Sequence, residues 1–174
     1  MAEMRNLLHN PRPGMPGASE FVSQSPSAEV SYTSGRIRVK ALDMFAIAKR
    51  TITLPAGDWV YSAYMGDYSG SDTCSTTEGR GVYVIANGGW LSHAPFAGIR
   101  KRYTTQFHLD AQTTVELRLS GPSTVGESID YCALLLASKD DYDHMISLTD
   151  SAGNPMNITW FDGDTYPSTW GASQ

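Results

Sequence analysis

The sequence predicts an all-β chain, an antiparallel two-sheet β-sandwich of jelly-roll type preceded by an extended N-terminal arm. Three observations lead there. Apolar and polar residues alternate with a period of two over a succession of short runs. The intervals are punctuated by turn formers, with 16 glycines and 9 prolines spread through 174 residues. Only one short stretch reads as helix. About seven or eight strands joined by Gly/Pro-rich turns fit a sandwich of this kind.

Length and composition set the frame. A chain of 174 residues suits one well-buried domain, expected over residues 21–174 with an arm over 1–20. Thirteen basic against eighteen acidic residues leave a net charge of −5, which repels a phosphate backbone and argues against nucleic acid as a partner. No stretch approaches the ~20 apolar residues of a membrane span, so no membrane contact is expected. The opening MAEMRNLLHNPRPG lacks the apolar run of a signal peptide, which points to synthesis and residence in a cytosol. Cys74, in a polar loop, and Cys132, in an apolar strand, are accordingly expected as thiols rather than a disulfide.

In chain order, Pro11, Pro13 and Pro16 with two glycines keep the first 20 residues out of a regular helix. Asn6-Leu7-Leu8 is the apolar anchor of this arm, which either lies on its own sandwich or is held by a neighbouring subunit. Val30 and Tyr32, then Ile37 and Val39, alternate around a Ser34-Gly35 break, giving a hairpin with one wet face. Residues 43–50 read as an irregular strand that runs on into 51–54. Residues 51–65, TITLPAGDWVYSAYM, read as a strand, a Pro-Ala-Gly-Asp reversal and a second strand, the central hairpin of the domain. A polar loop follows over 66–81.

Val82 to Ala86 form a short apolar strand before the Asn87-Gly88-Gly89 turn and Trp90. Tyr103, Thr105, Phe107 and Leu109 share one face of a strand, and Val115, Leu117 and Leu119 share one face of the next. Residues 129–137 are apolar on both faces, as for a central covered strand. Residues 139–146, KDDYDHMI, are the helix, and the tail is rich in turns and aromatics.

No sequence pattern of an enzyme is present: GxSxG, HExxH, Walker or dinucleotide loops and CxxC are all missing. The chain is therefore expected to be no enzyme, with no cofactor and no catalytic residue. His9, His93, His108 and His144 lack metal-ligand spacing and read as surface histidines. Asp162-Gly163-Asp164 is oxygen-rich enough to suggest calcium, with Asp67 and Asp72 as further oxygens, but Asp-Gly is a common turn dipeptide and a β-turn is the expectation. Trp59, Tyr64, Tyr68 and Trp90 are candidates for an aromatic platform on which a sugar ring stacks, but core or subunit-interface burial is the favoured reading of such residues. Arg100-Lys101-Arg102, with Lys49 and Arg50, reads as a solvated strand start rather than an anion site. Asp140-Asp141 beside Lys139 is a polar face without glycosidase geometry.

The two ends carry a resemblance. Asn6-Leu7-Leu8-His9-Asn10-Pro11 resembles an "NLxxNP" opening, and ITWFDGDTYPSTWG, residues 158–171, resembles a "yFDGdt…y.WtG" closing. Both belong to small jelly rolls like carbohydrate-binding modules, common among minor tail and other virion proteins of tailed phages that infect actinobacteria. Residues 52–65, 103–109 and 114–136 are similar to core strands of the same superfamily. The resemblance implies a lectin-like sandwich in a virion, with both termini close together. It further implies a non-enzymatic minor tail or tail-tip protein, oligomeric, acting through other virion proteins and reaching a host cell-wall glycan. A capsid decoration or head-fibre protein, and a soluble glycan-binding module, are the alternatives. Asn6, Leu7, Leu8, Asn10 and Pro11 are then the expected assembly arm, laid along a neighbour.

Overall fold

The computed structural model describes residues 3–8, 20–33, 35–66, 80–98, 100–161 and 165–167. In chain order the elements are β1 (Glu3–Arg5), β2 (Val22–Ser23), β3 (Ala28–Thr33), β4 (Arg36–Ala41), β5 (Ile47–Leu54) and β6 (Gly57–Met65). They continue with β7 (Arg80–Ala86), β8 (Gly89–Pro95), β9 (Lys101–Leu109), β10 (Thr113–Ser120), β11 (Ser128–Ser138), α1 (Lys139–Ile146) and β12 (Thr165–Pro167). Two antiparallel five-stranded sheets face each other: sheet I in the order β2-β5-β10-β7-β8 and sheet II in the order β3-β4-β11-β6-β9. β1 and β12 form a separate pair. The predicted two-sheet sandwich is the observed fold.

Strand alternation places the core. Ala48 and Leu54 of β5, Val82 and Val84 of β7, and Val115, Leu117 and Leu119 of β10 project from sheet I into one buried cluster. Tyr61 and Ala63 of β6, Tyr103 and Phe107 of β9, and Leu134 and Leu136 of β11 meet them from sheet II. The residues of opposite phase, among them Lys49, Thr51, Tyr83, Ile85, Glu116 and Arg118 in sheet I and Leu135 and Ala137 in sheet II, point to the outer faces. Tyr131 crosses the core to donate to the Ser120 carbonyl at 2.5 Å, linking one sheet to the backbone of the other.

Residues 51–65 are not a hairpin. β5 pairs with β10 and β2, whereas β6 pairs with β11 and β9, so Pro55-Ala56 is a corner that carries the chain from sheet I to sheet II. Periodicity and turn residues fix that the chain reverses between two strands; both strands point their apolar side into the same core either way. Which strand pairs with which is decided by the long-range partners. The start of β5 also differs from the sequence reading: residues 43–46 lie outside the strand, with Phe45 at a φ of 63°, and the strand begins at Ile47. β3 and β4 do pair as the expected hairpin, and Asn87 and Gly88, at φ 52° and 76°, make the tight turn of β7–β8.

The N-terminal segment is built into the domain. β4 pairs with only Ser128–Tyr131 of β11, so beyond Tyr131 that edge of the central strand lacks a strand partner. Asn6 and Leu7 fill it: Leu7 N–H donates to the Leu136 carbonyl at 2.8 Å. The Asn6 amide donates to the carbonyls of Leu134 and Phe161, and its oxygen accepts from the N–H of Leu136 and Leu8. Asn6, Leu8 and Met4 are buried. Of the two places expected for this segment, its own sandwich or a neighbour, Asn6, Leu7 and Leu8 take the first and complete their own sheet, because an open β-edge inside a domain must have its polar groups satisfied. Asn10 and Pro11 lie outside the described residues.

On the outer face of sheet II a second cluster joins Met4, Leu135, Ala137, Met145 and Phe161. Helix α1 contributes Met145 to it. The helix starts where Ser138 Oγ accepts from Asp141 N–H, with Asp140 and Asp141 in its first turn, where the helix dipole favours acids. Part of this face is thereby covered by Met4, Phe161 and the helix.

Candidate functional site

The outer face of sheet I carries no such roof among the described residues. Strand register orders its side chains into rows that cross the sheet. One row runs Val22, Lys49, Arg118, Tyr83, His93, and the next runs Thr51, Glu116, Ile85, Trp90. A register shift between Val84 and Ile85 in the β7–β8 pair sets Trp90 opposite Ile85 and His93 opposite Tyr83, so both β8 rings stand on the outer face.

Trp90 stacks on Tyr83 with ring centroids 4.9 Å apart and planes 12° from parallel, and His93 stands edge-on to Trp90 at 5.6 Å. The Arg118 guanidinium carbon lies 5.7 Å from the Tyr83 ring centre. Tyr83 is fully buried beneath these neighbours, while Trp90 remains 49% exposed. Beside the stack, Glu116 binds two cations. Its Oε2 accepts from Arg118 Nε (2.9 Å) and Nη2 (2.6 Å), and its Oε1 from Lys49 Nζ (3.1 Å). Partial burial pushes the Glu116 carboxyl up, but the hydrogen bonds and charges of Arg118 and Lys49 outweigh it and hold it below its ordinary value. A hollow of about 340 Å³ opens here, bounded by Trp90, Ile85, Asn87, Thr114, Glu116 and Arg118. Such a surface offers one half-open indole to a flat apolar ring face, with hydrogen-bonding groups at its side.

The three sequence-proposed aromatics among the described residues do not converge. Trp59 points into the core from β6, with its indole N–H donating to the Pro55 carbonyl at 3.2 Å. Tyr64 stands on the outer face of sheet II, opposite Arg102. Tyr68 lies outside the described residues, as do Asp67, Asp72, Cys74, Asp162 and Asp164. Among the described candidates Trp90 alone reaches the open face, and its partners there, Tyr83, Glu116, Arg118 and Lys49, come together only through the β5-β10-β7-β8 order.

The remaining candidates are structural. Arg102 donates to Ser62 Oγ at 2.8 Å and to the Ala133 carbonyl at 3.0 Å, holding the irregular turn of β11 where Ala133 has a φ of 51°. Lys101 donates to the Ala97 carbonyl, and Arg50 pairs with Glu20 at 2.5 Å and donates to the Leu7 carbonyl at 3.1 Å. Burial lowers the Arg50 guanidinium, and Glu20 opposes that shift. Cys132 is buried with its sulfur 3.9 Å from the Tyr64 carbonyl. His108 hydrogen-bonds Asp58 at 2.7 Å on the solvent side. Among the described residues no set of three His, Cys, Asp or Glu is placed to hold a metal ion.

No family model matches the chain, and no curated protein matches it. Solved structures do. The second N-terminal cellulose-binding domain of Cellulomonas fimi β-1,4-glucanase C aligns at a TM-score of 0.50 and 14% identity, covering 79% of this chain and 96% of that one. A family 29 carbohydrate-binding module, as a point mutant of CBM29-2 complexed with cellulohexaose, aligns at a TM-score of 0.48 and 11% identity over 78% and 89% of the two chains. Another point mutant of the same module aligns at 0.47 and 11% over 79% and 92%. At this identity the likeness is one of fold. The chain has a β-sandwich like that of carbohydrate-binding modules.

Proposed function

We propose that this chain is a non-catalytic virion protein of minor-tail type whose sandwich presents a glycan-attachment face to the host cell. The glycan part is carried by one observation: Trp90 is stacked on buried Tyr83 yet half open to solvent, with Glu116 and Arg118 beside it. A pyranose presents apolar C–H groups on its face and hydroxyls at its rim, so it matches an indole flanked by hydrogen-bonding side chains. The cellulose-binding domain with a similar sandwich supports the same ligand class by analogy of fold.

A glycan array with the native protein and Trp90→Ala tests this. Native binding that falls at least tenfold in the variant, with an unchanged circular dichroism spectrum, is the expected result; an array with no native hits overturns the glycan reading. The virion part rests on the resemblance of the two ends. Quantitative mass spectrometry of purified particles is expected to find a few to some tens of copies. Hundreds would make the chain a capsid decoration protein, and absence from the particle would leave a soluble glycan-binding module.

A second reading, an assembly subunit working through protein contacts, is favoured by the exposed side chains of Leu42, Met44, Phe45 and Val125. The Gly126 N–H to Ala41 carbonyl bond brings their two loops together at one end of the sandwich. Light scattering of Met44→Glu and Val125→Glu variants tests it: an oligomer that survives both changes excludes that end as the contact.

A further inference from the structure

We propose that the N-terminal segment, residues 3–8, is exchanged between copies of this chain, the segment of one copy completing sheet II of another. The exchange is independent of what the outer face of sheet I binds. Within one copy the segment sits on the sandwich as an inserted piece. Its β1 pairs with β12, and Leu7 N–H donates to the Leu136 carbonyl. Asn6 commits its side chain to Leu134, Leu136, Leu8 and Phe161. Met4 is seated on the outer face with Leu135, Ala137, Met145 and Phe161, whereas Leu8 is seated in the core between the sheets. Two apolar sockets, an amide-binding point between them and a strand edge beneath select for this order of side chains. The occupant that fits the seat is therefore this same segment, and every copy of the chain carries both the segment and the seat.

The connection permits either source. Residues 9–19 join the segment to Glu20, just before β2. One guanidinium marks both ends of that connection: Arg50 donates to the Leu7 carbonyl at 3.1 Å and pairs with Glu20 at 2.5 Å. A stretch of this length can reach about 40 Å when fully extended, far more than the gap that a single guanidinium bridges. Pro11, Pro13 and Pro16 lie in it, and prolines in a linker favour extension over doubling back. The same length of chain can carry residues 3–8 to the seat on a neighbouring sandwich with every contact above preserved.

Because the contacts are identical within and between copies, concentration sets the balance. A segment on a short flexible linker meets its own seat at an effective concentration of about millimolar. Exchange therefore grows as copies are crowded towards that level, as they are in an assembly, and falls on dilution. A reciprocal exchange closes a two-fold dimer, and a one-way exchange leaves a seat and a segment open for further copies.

Cross-linking of the full chain tests the proposal. Arg5 N–H lies 3.3 Å from the Asp141 carboxylate, so cysteines at these two positions come within reach of a short bis-maleimide when the segment is seated. In a Cys74→Ser background, an Arg5→Cys copy and an Asp141→Cys copy are mixed, concentrated, incubated, then diluted and cross-linked. The expected result is a covalent pair of the two chains at least tenfold above that formed by Arg5→Cys with Thr51→Cys, a position on the outer face of sheet I. Its yield should rise with the concentration of the incubation. The double variant Arg5→Cys/Asp141→Cys, kept dilute, should close within one chain. If it does so while the mixed copies give no more product than the Thr51→Cys pair at any concentration, the segment stays with its own sandwich and the proposal is overturned. A double variant that links neither within nor between chains overturns it as well, because the segment is then not seated beside α1.

Discussion

Single side chains join layers that the backbone keeps apart. Tyr131 reaches from β11 of sheet II to the Ser120 carbonyl of sheet I, fully buried. Tyr131→Phe keeps the ring and strands that carbonyl without its donor, so it should destabilise the fold by about 1–2 kcal/mol in denaturant unfolding; unchanged stability would mean that the carbonyl finds another donor. Gly81 lies against the Tyr103 ring so closely that an added Cβ would sit 2.4 Å from a ring carbon. Gly81→Ala should therefore cost about 1–3 kcal/mol by overpacking, read as a lower melting temperature. On the surface, His108 is raised above its ordinary 6.5, first by the hydrogen bond to Asp58, which with the charges of Asp58 and Asp110 outweighs desolvation. A raised folded value means its contribution to stability is complete below pH 6.5 and fades as pH rises through the folded value. Titration by NMR should place His108 above 6.5 in the native protein and return it towards 6.5 in Asp58→Asn; no response to that change would dissociate the shift from the carboxylate.

At the scale of elements, the N-terminal segment behaves as a missing strand of sheet II. Asn6→Ala removes the side-chain bonds to Leu134, Leu136, Leu8 and Phe161 and should cost about 2–4 kcal/mol, more than a typical surface change. Removing residues 1–8 also strips Met4 and Leu8 from the two clusters, and the exposed β11 edge should favour aggregation over a folded monomer; a truncated chain that melts like the full one would contradict this. Most of the core strands were legible in the sequence, whereas β1, β2, β8 and β12 were not. The inward phase of Tyr103, Thr105, Phe107 and Leu109, the two-sided burial of β11 and the helix Lys139–Ile146 follow from periodicity and capping alone. The partner of β5 was not, because a corner between sheets and a hairpin within one use the same turn residues. Nor was the role of Asn6, since its four partners lie 2 to 155 residues away in the chain. The open face was half legible. Trp90 stands out as an aromatic after a turn, but Glu116 and Arg118 look like the wet side of any amphipathic strand until register sets them beside Tyr83.

For the whole molecule, the two outer faces have unequal fates, and this decides where a ligand can act. Sheet II gives its outer face to internal closure: β1 pairs with β12, Arg5 N–H reaches Asp141 at 3.3 Å, and Phe161 and Met145 fill the space beneath. β1 with its partner β12, and Met4 with Phe161, lie on that side, away from the open face of sheet I. Hydrogen exchange with a bound glycan should show the same asymmetry. Amides of Lys49–Thr51, Tyr83–Ile85, Trp90 and Glu116–Arg118 are expected to gain protection, while those of α1 and the β1 segment stay unchanged. Protection does not require the covered residue to be a direct contact, because a ligand that quenches local opening slows exchange throughout the strands it spans; β10, flanked by β5 and β7, should therefore respond along its length. If protection instead gathers at residues 42–45 and 125, the exposed apolar end is the binding region and the Trp90 face is not. If it spreads evenly over both sheets, the ligand stabilises the fold globally, and the site must be sought by mutation of Trp90, Arg118 and Lys49 one at a time.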